Sequence, residues 1–233
     1  MTHAPRLSVV VPAWNEALRL PPLLDALERC DPRPHEVIVV DGGSSDGTRD
    51  LAAGRATVIT APRGRASQLN AGARMATGDV LWFVHADCLP RPSAVREIAG
   101  ALAAGAPGGC FRIAFPPDER SQHRLVPWIE RGINLRTWVT RRGTGDQGIF
   151  ARTDVFVGAG GFPEWPVFED VALAAVLRRA GRPAVCRGPL LTSARRWLRH
   201  GVARTMARMW GLRLAYLAGV PAGKLERHWG RWD

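Results

Sequence analysis

Short apolar runs alternate with amphipathic segments along the first half of the chain. Residues 7–12 and 37–40 are continuous, valine-rich apolar runs, and they end at a proline and at Asp-Gly-Gly. Such runs are typical of strands that are buried on both faces. Between them, residues 16–29 place leucines at helical spacing, with two prolines near the helix start, where proline is tolerated. This order predicts a doubly wound α/β fold with a mostly parallel sheet.

The same pattern predicts further elements along the rest of the chain. Beyond residue 161 the periodicity becomes helical, and Gly201 and Gly211 weaken the last helix. The predicted strands cover residues 57–60, 80–84 and 110–115, and the predicted helices cover residues 46–53, 65–76, 92–104, 125–140, 171–180 and 194–217.

The C-terminal helical segment is strongly basic. No acidic residue occurs between Val171 and Leu225, and the whole chain carries a formal net charge of +11. Because Lys224 is the only lysine, we attribute part of this charge to a general preference for arginine. The last helix has an apolar face with Arg204 and Arg208 opposite, and this face can dock on the sheet, which we favour, or lie on anionic lipid. The face combines Leu198, Val202, Met206, Met209 and Leu212.

Length and composition predict one folded domain in the cytoplasm. The chain has 233 residues, of which 46% are hydrophobic and 23% charged, enough for a single α/β domain. The N-terminus lacks the pattern of a signal peptide, and no apolar run reaches the ~20 residues that span a bilayer. Peripheral contact at the inner face of the membrane is the open alternative. Four widely spaced cysteines predict reduced, buried thiols.

Polar residues follow three of the predicted strands. Residues 12–16 come after the first strand, residues 41–48 after the second, and His85-Ala86-Asp87 after the fourth. Because ligands bind at the carboxyl ends of the strands in open α/β sheets, we expect these residues to meet at one edge.

The acids at these strand ends have different alternatives. Ser44 and Asp46 are as well suited to capping the next helix as to binding a ligand. Asp41 ends its strand, where a carboxylate is better used to accept hydrogen bonds from ribose hydroxyls or a base. Asp87 is a candidate ligand of a hard divalent cation, with capping of the following helix as the alternative.

Seven motifs resemble, in order and spacing, family 2 glycosyltransferases of the GT-A fold. The resemblance covers residues 7 to about 200 and is closest to a subgroup of small, single-domain bacterial members. A single D-G-S is a weak signal, whereas seven motifs in order are highly specific. They are V-V-V-P-A-W-N-E, V-D-G-G-S-S-D-G-T, G-R-A-S-Q-L-N-A-G, H-A-D, G-D-Q-G-I-F, G-G-F-P-E and F-E-D-V-A-L.

The resemblance implies a Rossmann-like sheet with a C-terminal helical segment, a nucleotide-sugar donor, and Mg²⁺ or Mn²⁺ held by Asp87. His85 replaces the first acid of the family's Asp-x-Asp. Arg65 would reach the base or the diphosphate, although Arg63 could do the same. One domain over residues 1–233 would divide into a donor half at about 1–110 and an acceptor and catalytic half at about 111–233. The implied donor-binding residues are Pro12, Ala13, Asn15, Glu16, Asp41, Gly43, Ser44, Arg65, Asn70, His85, Ala86 and Asp87.

On the acceptor side, the resemblance implies that an acid of the Glu169-Asp170 pair is the catalytic base of an inverting displacement. We choose Asp170 first and Glu169 second, although stabilisation by the helix dipole explains both equally well. Asp146 and Gln147 would form a floor between donor and acceptor. Arg196 and Trp197 resemble the R-W of processive members and imply acceptor or diphosphate contact. The acceptor is unidentified, and a lipid-linked one would favour membrane contact through the C-terminal basic helix.

Two other classes of protein remain as alternatives. A nucleic-acid-binding module would use the basic C-terminal segment and its tryptophans, but the strand-end acids would repel phosphates and no RNA-binding motif occurs. We therefore expect no nucleic-acid partner. A nucleotidyltransferase on a similar scaffold would need a glycine-rich, lysine-bearing triphosphate loop, which the sequence lacks. The C-terminal tryptophans are Trp197, Trp210, Trp229 and Trp232.

Overall fold

The valine-rich runs form the centre of one sheet in the computed structural model, which describes residues 5–229. The strands are β1 (Leu7–Ala13), β2 (Glu36–Asp41), β3 (Thr57–Thr60), β4 (Val80–Phe83), β5 (Cys88–Leu89), β6 (Gly108–Ala114), β7 (Phe150–Arg152) and β8 (Ala184–Thr192). The helices are α1 (Leu20–Glu28), α2 (Thr48–Ala52), α3 (Arg65–Met75), α4 (Ala94–Ala103), α5 (Pro117–Ser121), α6 (Val126–Thr140), α7 (Thr153–Gly158), α8 (Glu169–Ala180), α9 (Arg195–His200), α10 (Val202–Leu217) and α11 (Ala222–Trp229), and a 3-10 helix covers Gly145–Gln147.

The eight strands lie in the order β3-β2-β1-β4-β7-β6-β8-β5. The first four of this order run parallel to one another, and β6 pairs in parallel with β8, whereas β7 and β5 are antiparallel to the strands they pair with. Helices cover this mixed sheet on its faces. The prediction of a mostly parallel α/β sheet is therefore confirmed.

The carboxyl ends of the central strands meet at one edge of the sheet, as predicted. Ala13 at the end of β1 pairs with Asp41 at the end of β2, and Asp41 pairs with Thr60 of β3. On the other side of β1, Val10 pairs with Phe83 of β4. The three polar loops that follow β1, β2 and β4 therefore begin side by side.

Two apolar layers hold the helices against the sheet. On one face, α1 and α4 pack on the sheet around the fully buried Trp82. On the other face, α3 and α8 pack around Leu81 and Phe83. Helix α3 approaches most closely at Gly72, where a Cβ atom would lie 2.4 Å from Val10 Cγ1. This close approach fixes the N-terminal end of α3, and with it Arg65, near the polar loops.

The prediction that the chain is helical beyond residue 161 is wrong for β8. Gly188 and Pro189 interrupt its apolar pattern, and its register with β6 shifts between Phe111 and Arg112. The backbone N–H of Gly188 donates to the Glu97 carboxylate at 2.9 Å, and a Cβ at this position would lie 2.3 Å from Glu97 Oε1. A glycine required by tertiary packing thus hides the strand from a pattern-based prediction.

The predicted helix over residues 194–217 is two helices. Gly201, with φ 81° and ψ 136°, breaks it between α9 and α10. Val202 is buried in a cluster with Ile113 of β6, which confirms docking on the sheet at this residue, whereas Leu212 is buried in a cluster with Val167 and Ala222 of α11. The predicted apolar face is wrong at Met206, which is exposed, whereas the neighbouring Thr205 is buried.

The remaining expectations concern thiols and membrane spans. The four cysteines are free and buried, as predicted. Within residues 5–229, no helix has both the length and the apolar character needed to cross a bilayer. Trp232, which the nucleic-acid alternative invokes, lies outside the described residues.

Candidate functional site

The turn after β2 is built around the buried carboxylate of Asp41. This carboxylate accepts hydrogen bonds from the backbone N–H groups of Gly43 and Ser44, both at 3.1 Å, and from Ser44 Oγ at 2.5 Å. Gly43 has φ 88°, a left-handed conformation that favours glycine. Asp41 therefore fixes the shape of this turn, and its contact with a nucleoside stays a prediction.

The loop after β1 is tied to the same turn. The N–H of Asn15 donates to Ser44 Oγ at 2.9 Å, and Asn15 Oδ1 accepts the N–H of Ser45 at 2.9 Å. The N–H of Glu16 donates to Thr48 Oγ1 at 2.9 Å. Asn15 holds a left-handed φ of 52° in this arrangement. The two loops form one unit at the edge of the sheet.

The structure gives a different result for each of the three residues that could cap a helix. Asp46 accepts the N–H of Thr48 at 3.1 Å at the start of α2, so it has a structural role there. Ser44 instead binds Asp41 and Asn15. Asp87 does not cap α4, which begins after Ser93.

Arg65 connects the start of α3 to the start of α8. Its Nη1 donates to Glu169 Oε1 at 3.1 Å. Glu169 is 1% exposed, and its Oε2 has no hydrogen-bond partner within the described part of the chain. Burial raises the pKa of Glu169, an effect that Arg65 opposes and the neighbouring charge of Asp170 reinforces. Asp170 is only partly buried, so it is the more accessible acid of the pair.

Gly145 joins the acid of α8 to the turn after β4. Its N–H donates to Asp170 Oδ2 at 2.8 Å. A Cβ atom on Gly145 would lie 2.8 Å from His85 Cε1 and 3.7 Å from Asp170 Oδ2. Burial lowers the pKa of the His85 imidazole to about 3, and the positive charge of Arg65 adds to this, so His85 is neutral. The candidate base Asp170 and the His85-Ala86-Asp87 turn therefore lie on either side of Gly145.

Asp87 carries a partly exposed carboxylate that lies near the guanidinium of an arginine in the same chain. Arg195 Nη2 lies 3.5 Å from Asp87 Oδ2 and 3.9 Å from Glu16 Oε1. No cluster of three or more metal-ligating side chains occurs among residues 5–229. Mg²⁺ and Mn²⁺ sites of substrate-bridging type need few protein ligands, because phosphates and water complete the coordination. One accessible carboxylate beside a neutral imidazole fits such a cation and does not fit a site made of protein ligands alone.

Gln147 faces the interior and not the site. Its side-chain oxygen accepts hydrogen bonds from Arg136 Nη2 at 3.0 Å, Thr137 Oγ1 at 3.1 Å and Thr144 Oγ1 at 3.1 Å, and its amide donates to the carbonyl of Phe111 at 3.1 Å. The side chain is completely buried. Gln147 thereby ties the loop that carries Gly145 to α6.

Asn70 and Trp197, two other predicted site residues, make contacts within the fold. Asn70 binds both the N–H and the carbonyl of Phe162, at 2.9 and 2.8 Å, and so anchors the loop before α8. Trp197 packs against an apolar cluster between α6 and α10. The remaining predicted residues lie in different elements: Pro12 and Ala13 end β1, Ala86 is buried within its turn, Asp146 lies in the 3-10 helix and Arg196 lies in α9.

Two residues of this centre were missed by the sequence analysis. Gly145 opens the G-D-Q-G-I-F motif, but nothing local indicates that its N–H meets Asp170. Arg195 precedes Arg196 in the same motif, but only the structure brings its guanidinium to Asp87. Trp14 and Arg63 also stack at the mouth of this region, with Arg63 Cζ 3.4 Å from the centroid of the Trp14 ring.

A family profile and several curated sequences match this chain. The profile of the family described as "Glycosyl transferase family 2" matches residues 8–156. Glycosyltransferase AglE of Haloferax volcanii is 26% identical over 174 residues, which is 68% of this chain and 56% of the relative. Validoxylamine A glucosyltransferase of Streptomyces hygroscopicus subsp. limoneus is 34% identical over 136 residues, 52% of this chain and 29% of the relative. The chain spans about half or less of the length of these curated relatives.

Solved structures share the fold. Glucosyl-3-phosphoglycerate synthase from Mycobacterium tuberculosis, in complex with Mn²⁺, UDP and phosphoglyceric acid, superposes with a TM-score of 0.62 at 22% identity. The match covers 93% of this chain and 80% of that protein. At this identity the likeness concerns the arrangement of strands and helices.

Proposed function

Because the chain belongs to glycosyl transferase family 2, we propose that it transfers a sugar from a nucleotide-sugar donor to an acceptor hydroxyl in one displacement, with inversion at the anomeric carbon. The observation that carries this proposal is the position of Gly145 between His85 and Asp170. An accessible carboxylate and the turn that would face the diphosphate lie side by side, as an in-line displacement requires.

The donor would bind across the loops after β1, β2 and β4. Asp41, Asn15 and Ser44 hold these loops in a fixed shape, which supports recognition of the nucleoside by a rigid surface. Arg65 lies beside the site with its guanidinium already bonded to Glu169, and it would meet the negative charge of the diphosphate. The N-terminus of α3 faces the same region and favours anions.

Asp170 would act as the base that takes the proton of the acceptor hydroxyl. Glu169 is unsuited to this role because its carboxylate is buried and paired with Arg65. The N–H of Gly145 holds one oxygen of Asp170, and this orients the carboxylate toward the turn after β4. The acid therefore has both access to the site and a fixed direction.

Asp87 would hold Mg²⁺ or Mn²⁺, and the cation would supply positive charge that stabilises the diphosphate leaving group. The solved relative with Mn²⁺ and UDP supports a cation of this class. His85, as a neutral imidazole, is a candidate for a further ligand or for a ribose contact. Arg195 would release Asp87 when the cation binds, because both compete for the same carboxylate.

The proposal also covers the acceptor side and the location of the enzyme. We propose a cytoplasmic bacterial enzyme with one domain, whose acceptor approaches past Asp146, Arg196 and Asp170. The comparisons favour neither the nucleic-acid-binding module nor the nucleotidyltransferase.

A thermal-shift screen of UDP, GDP and dTDP sugars, each with and without Mn²⁺, tests the proposal directly. One donor class should raise the melting temperature, since a ligand at a hundred times its Kd adds about 2.7 kcal/mol to the free energy of unfolding. Asp87→Ala should remove the part of this stabilisation that depends on Mn²⁺.

Asp154→Ala is the matched control, because Asp154 is an exposed acid on α7 with a surface ion pair to Arg152. It should bind the donor as the unmodified chain does. If no nucleotide sugar stabilises the protein or is consumed, and Asp87→Ala changes nothing, the proposed function is wrong.

A further inference from the structure

Helix α6 carries apolar side chains on two opposite faces. Its inner face contains Val126 and Ile129, which are buried in an apolar cluster with Ile113 of β6. Its outer face consists of Trp128, Leu135, Trp138 and Val139, which recur at helical spacing and are 63–65% exposed. We call these four residues the α6 outer face. Exposed apolar residues are common singly, whereas a cluster with two tryptophans on one helix indicates an interaction surface.

The outer face is held rigidly in position. On the inner side of α6, the Asn134 side chain accepts the N–H of Ile113 and donates to its carbonyl, both at 2.9 Å. Arg136 and Thr137 bind Gln147, as described above. These buried bonds fix the helix to β6 and to the loop of Gly145, so the outer face points away from the protein.

Within residues 124–142, every exposed charged residue is an arginine. Arg124, Arg131 and Arg142 are exposed at or near the two ends and the side of α6, and Arg131 Cζ lies 5.1 Å from the centroid of the Trp128 ring. Glu130, the one acid of α6, points inward, where it accepts the N–H of Phe115 at 2.9 Å. An apolar strip surrounded by arginines is complementary to a layer with negative headgroups above hydrocarbon.

We propose that the α6 outer face docks on the surface of an anionic lipid bilayer. Tryptophan is suited to the interface because its ring is apolar while its N–H stays near polar groups, and arginine can bury its stem and keep its charge at the headgroups. A second copy of the chain would set the same arginines against one another across a symmetric contact. Charge complementarity therefore favours lipid over self-association.

The docking would place the candidate site beside the membrane. Gln147 links α6 directly to the loop that positions Gly145 and Asp170. On the basis of the proposed function, the acceptor hydroxyl would then belong to a molecule anchored in the same bilayer. The binding measurement below needs no donor or acceptor, so its failure and the failure of the proposed function are distinguishable.

Sedimentation of the full chain with vesicles tests this proposal. One set of vesicles is pure phosphatidylcholine, and the other contains about one third phosphatidylglycerol. The chain should sediment with the anionic vesicles, bind neutral ones far less, and dissociate at high salt. Trp128→Ser combined with Trp138→Ser should weaken partitioning about tenfold or more while the melting temperature stays unchanged.

Trp210→Ser on α10 is the matched control, because Trp210 is another exposed tryptophan, at 59%, on the basic C-terminal segment. It should bind vesicles as the unmodified chain does. Arg131→Glu combined with Arg142→Glu provides a second test, and it should remove the preference for anionic lipid even if the tryptophan variant fails to fold.

Three results would overturn the proposal. The first is no binding of the unmodified chain to anionic vesicles. The second is loss of binding in Trp210→Ser with retention in the α6 variants, which would assign the contact to α10. The third is a dimer, detected by light scattering, that becomes a monomer when the α6 tryptophans are replaced while vesicle binding is absent, which would assign the face to a second copy.

Discussion

The turn after β2 and the start of α8 both bring carboxylates to the same edge of the sheet, but they hold them in opposite ways. The Asp41 carboxylate is buried and bonded to Gly43 and Ser44 of its own turn. At α8, Glu169 has one buried oxygen without a partner in the described chain. Asp170 accepts the N–H groups of Gly145 and Val171 but remains partly exposed.

This difference indicates that the two regions have different roles in the site. Hydrogen bonds that are complete before a ligand arrives produce a rigid surface that selects by shape. Groups that are buried or half-buried with spare bonding capacity gain the most when a ligand or a proton reaches them. We therefore expect substitutions near Asp41 to affect stability first, and substitutions near Asp170 to affect turnover first.

Asp170→Asn should cause the largest change. The amide keeps the size of the side chain but cannot take the acceptor's proton, so kcat should fall by about 10²–10⁴. Stabilisation by the donor, measured by thermal shift, should stay intact. Glu169→Gln is the comparison variant, and full activity in Asp170→Asn together with loss in Glu169→Gln would move the base to Glu169.

Gly145→Ala should produce the next largest effect. The added Cβ would lie 2.8 Å from His85 Cε1, so the loop must shift and move Asp170 with it. A displacement of about 1 Å can lower kcat roughly 10²-fold. Steady-state kinetics would detect this, with Gly100→Ala on α4 as control, because a Cβ there meets open space. Unchanged kcat in Gly145→Ala would contradict the role given to this glycine.

Asp41→Asn should act mainly on stability. The new amide would point N–H groups toward the N–H of Gly43 or Ser44, and the lost bonds should cost about 1–3 kcal/mol in the free energy of unfolding. Urea denaturation measures this difference. The exposed Asp50→Asn should change it by far less. An unaltered unfolding midpoint in Asp41→Asn would remove the distinction between the two regions.

Glu169→Gln should have the smallest effect, visible in the pH dependence of stability. Because burial raises the pKa of Glu169 in the folded state, the folded chain retains a proton that the unfolded chain has lost just above the ordinary glutamate pKa. Stability therefore decreases as pH rises through that window. Glutamine lacks this decrease, so the difference in unfolding free energy between the two proteins should change in favour of the variant as pH rises. A difference independent of pH would contradict the raised pKa.

Much of the sheet could be predicted because its central strands have a simple signal. The strands β1, β2 and β4 are continuous apolar runs, and their pattern needs no tertiary information. Strand β8 was missed because Gly188 accommodates Glu97, a residue 91 positions away. Strand β7 has only three residues, which is too short for a periodic pattern.

The site was predictable to a similar extent. Convergence of the strand ends follows from parallel pairing, so the sequence was sufficient to bring Asn15 and Asp41 together. The inward direction of Gln147 and the contact of Arg195 with Asp87 depend on how distant elements pack. The low pKa of His85 has the same origin, since burial is a property of the whole fold.

The pairing of β5 with β8 has a consequence for the order of events during synthesis. Cys88, directly after Asp87, pairs with Thr192, and Leu89 pairs with Leu191. The turn that carries Asp87 therefore lacks its outer support until a strand more than a hundred residues later in the chain has left the ribosome. Contacts of such long range form late in folding. A growing chain can thus form the parallel part of its sheet, β1 to β4, long before it completes its site, and donor binding would report that translation has passed the last strand.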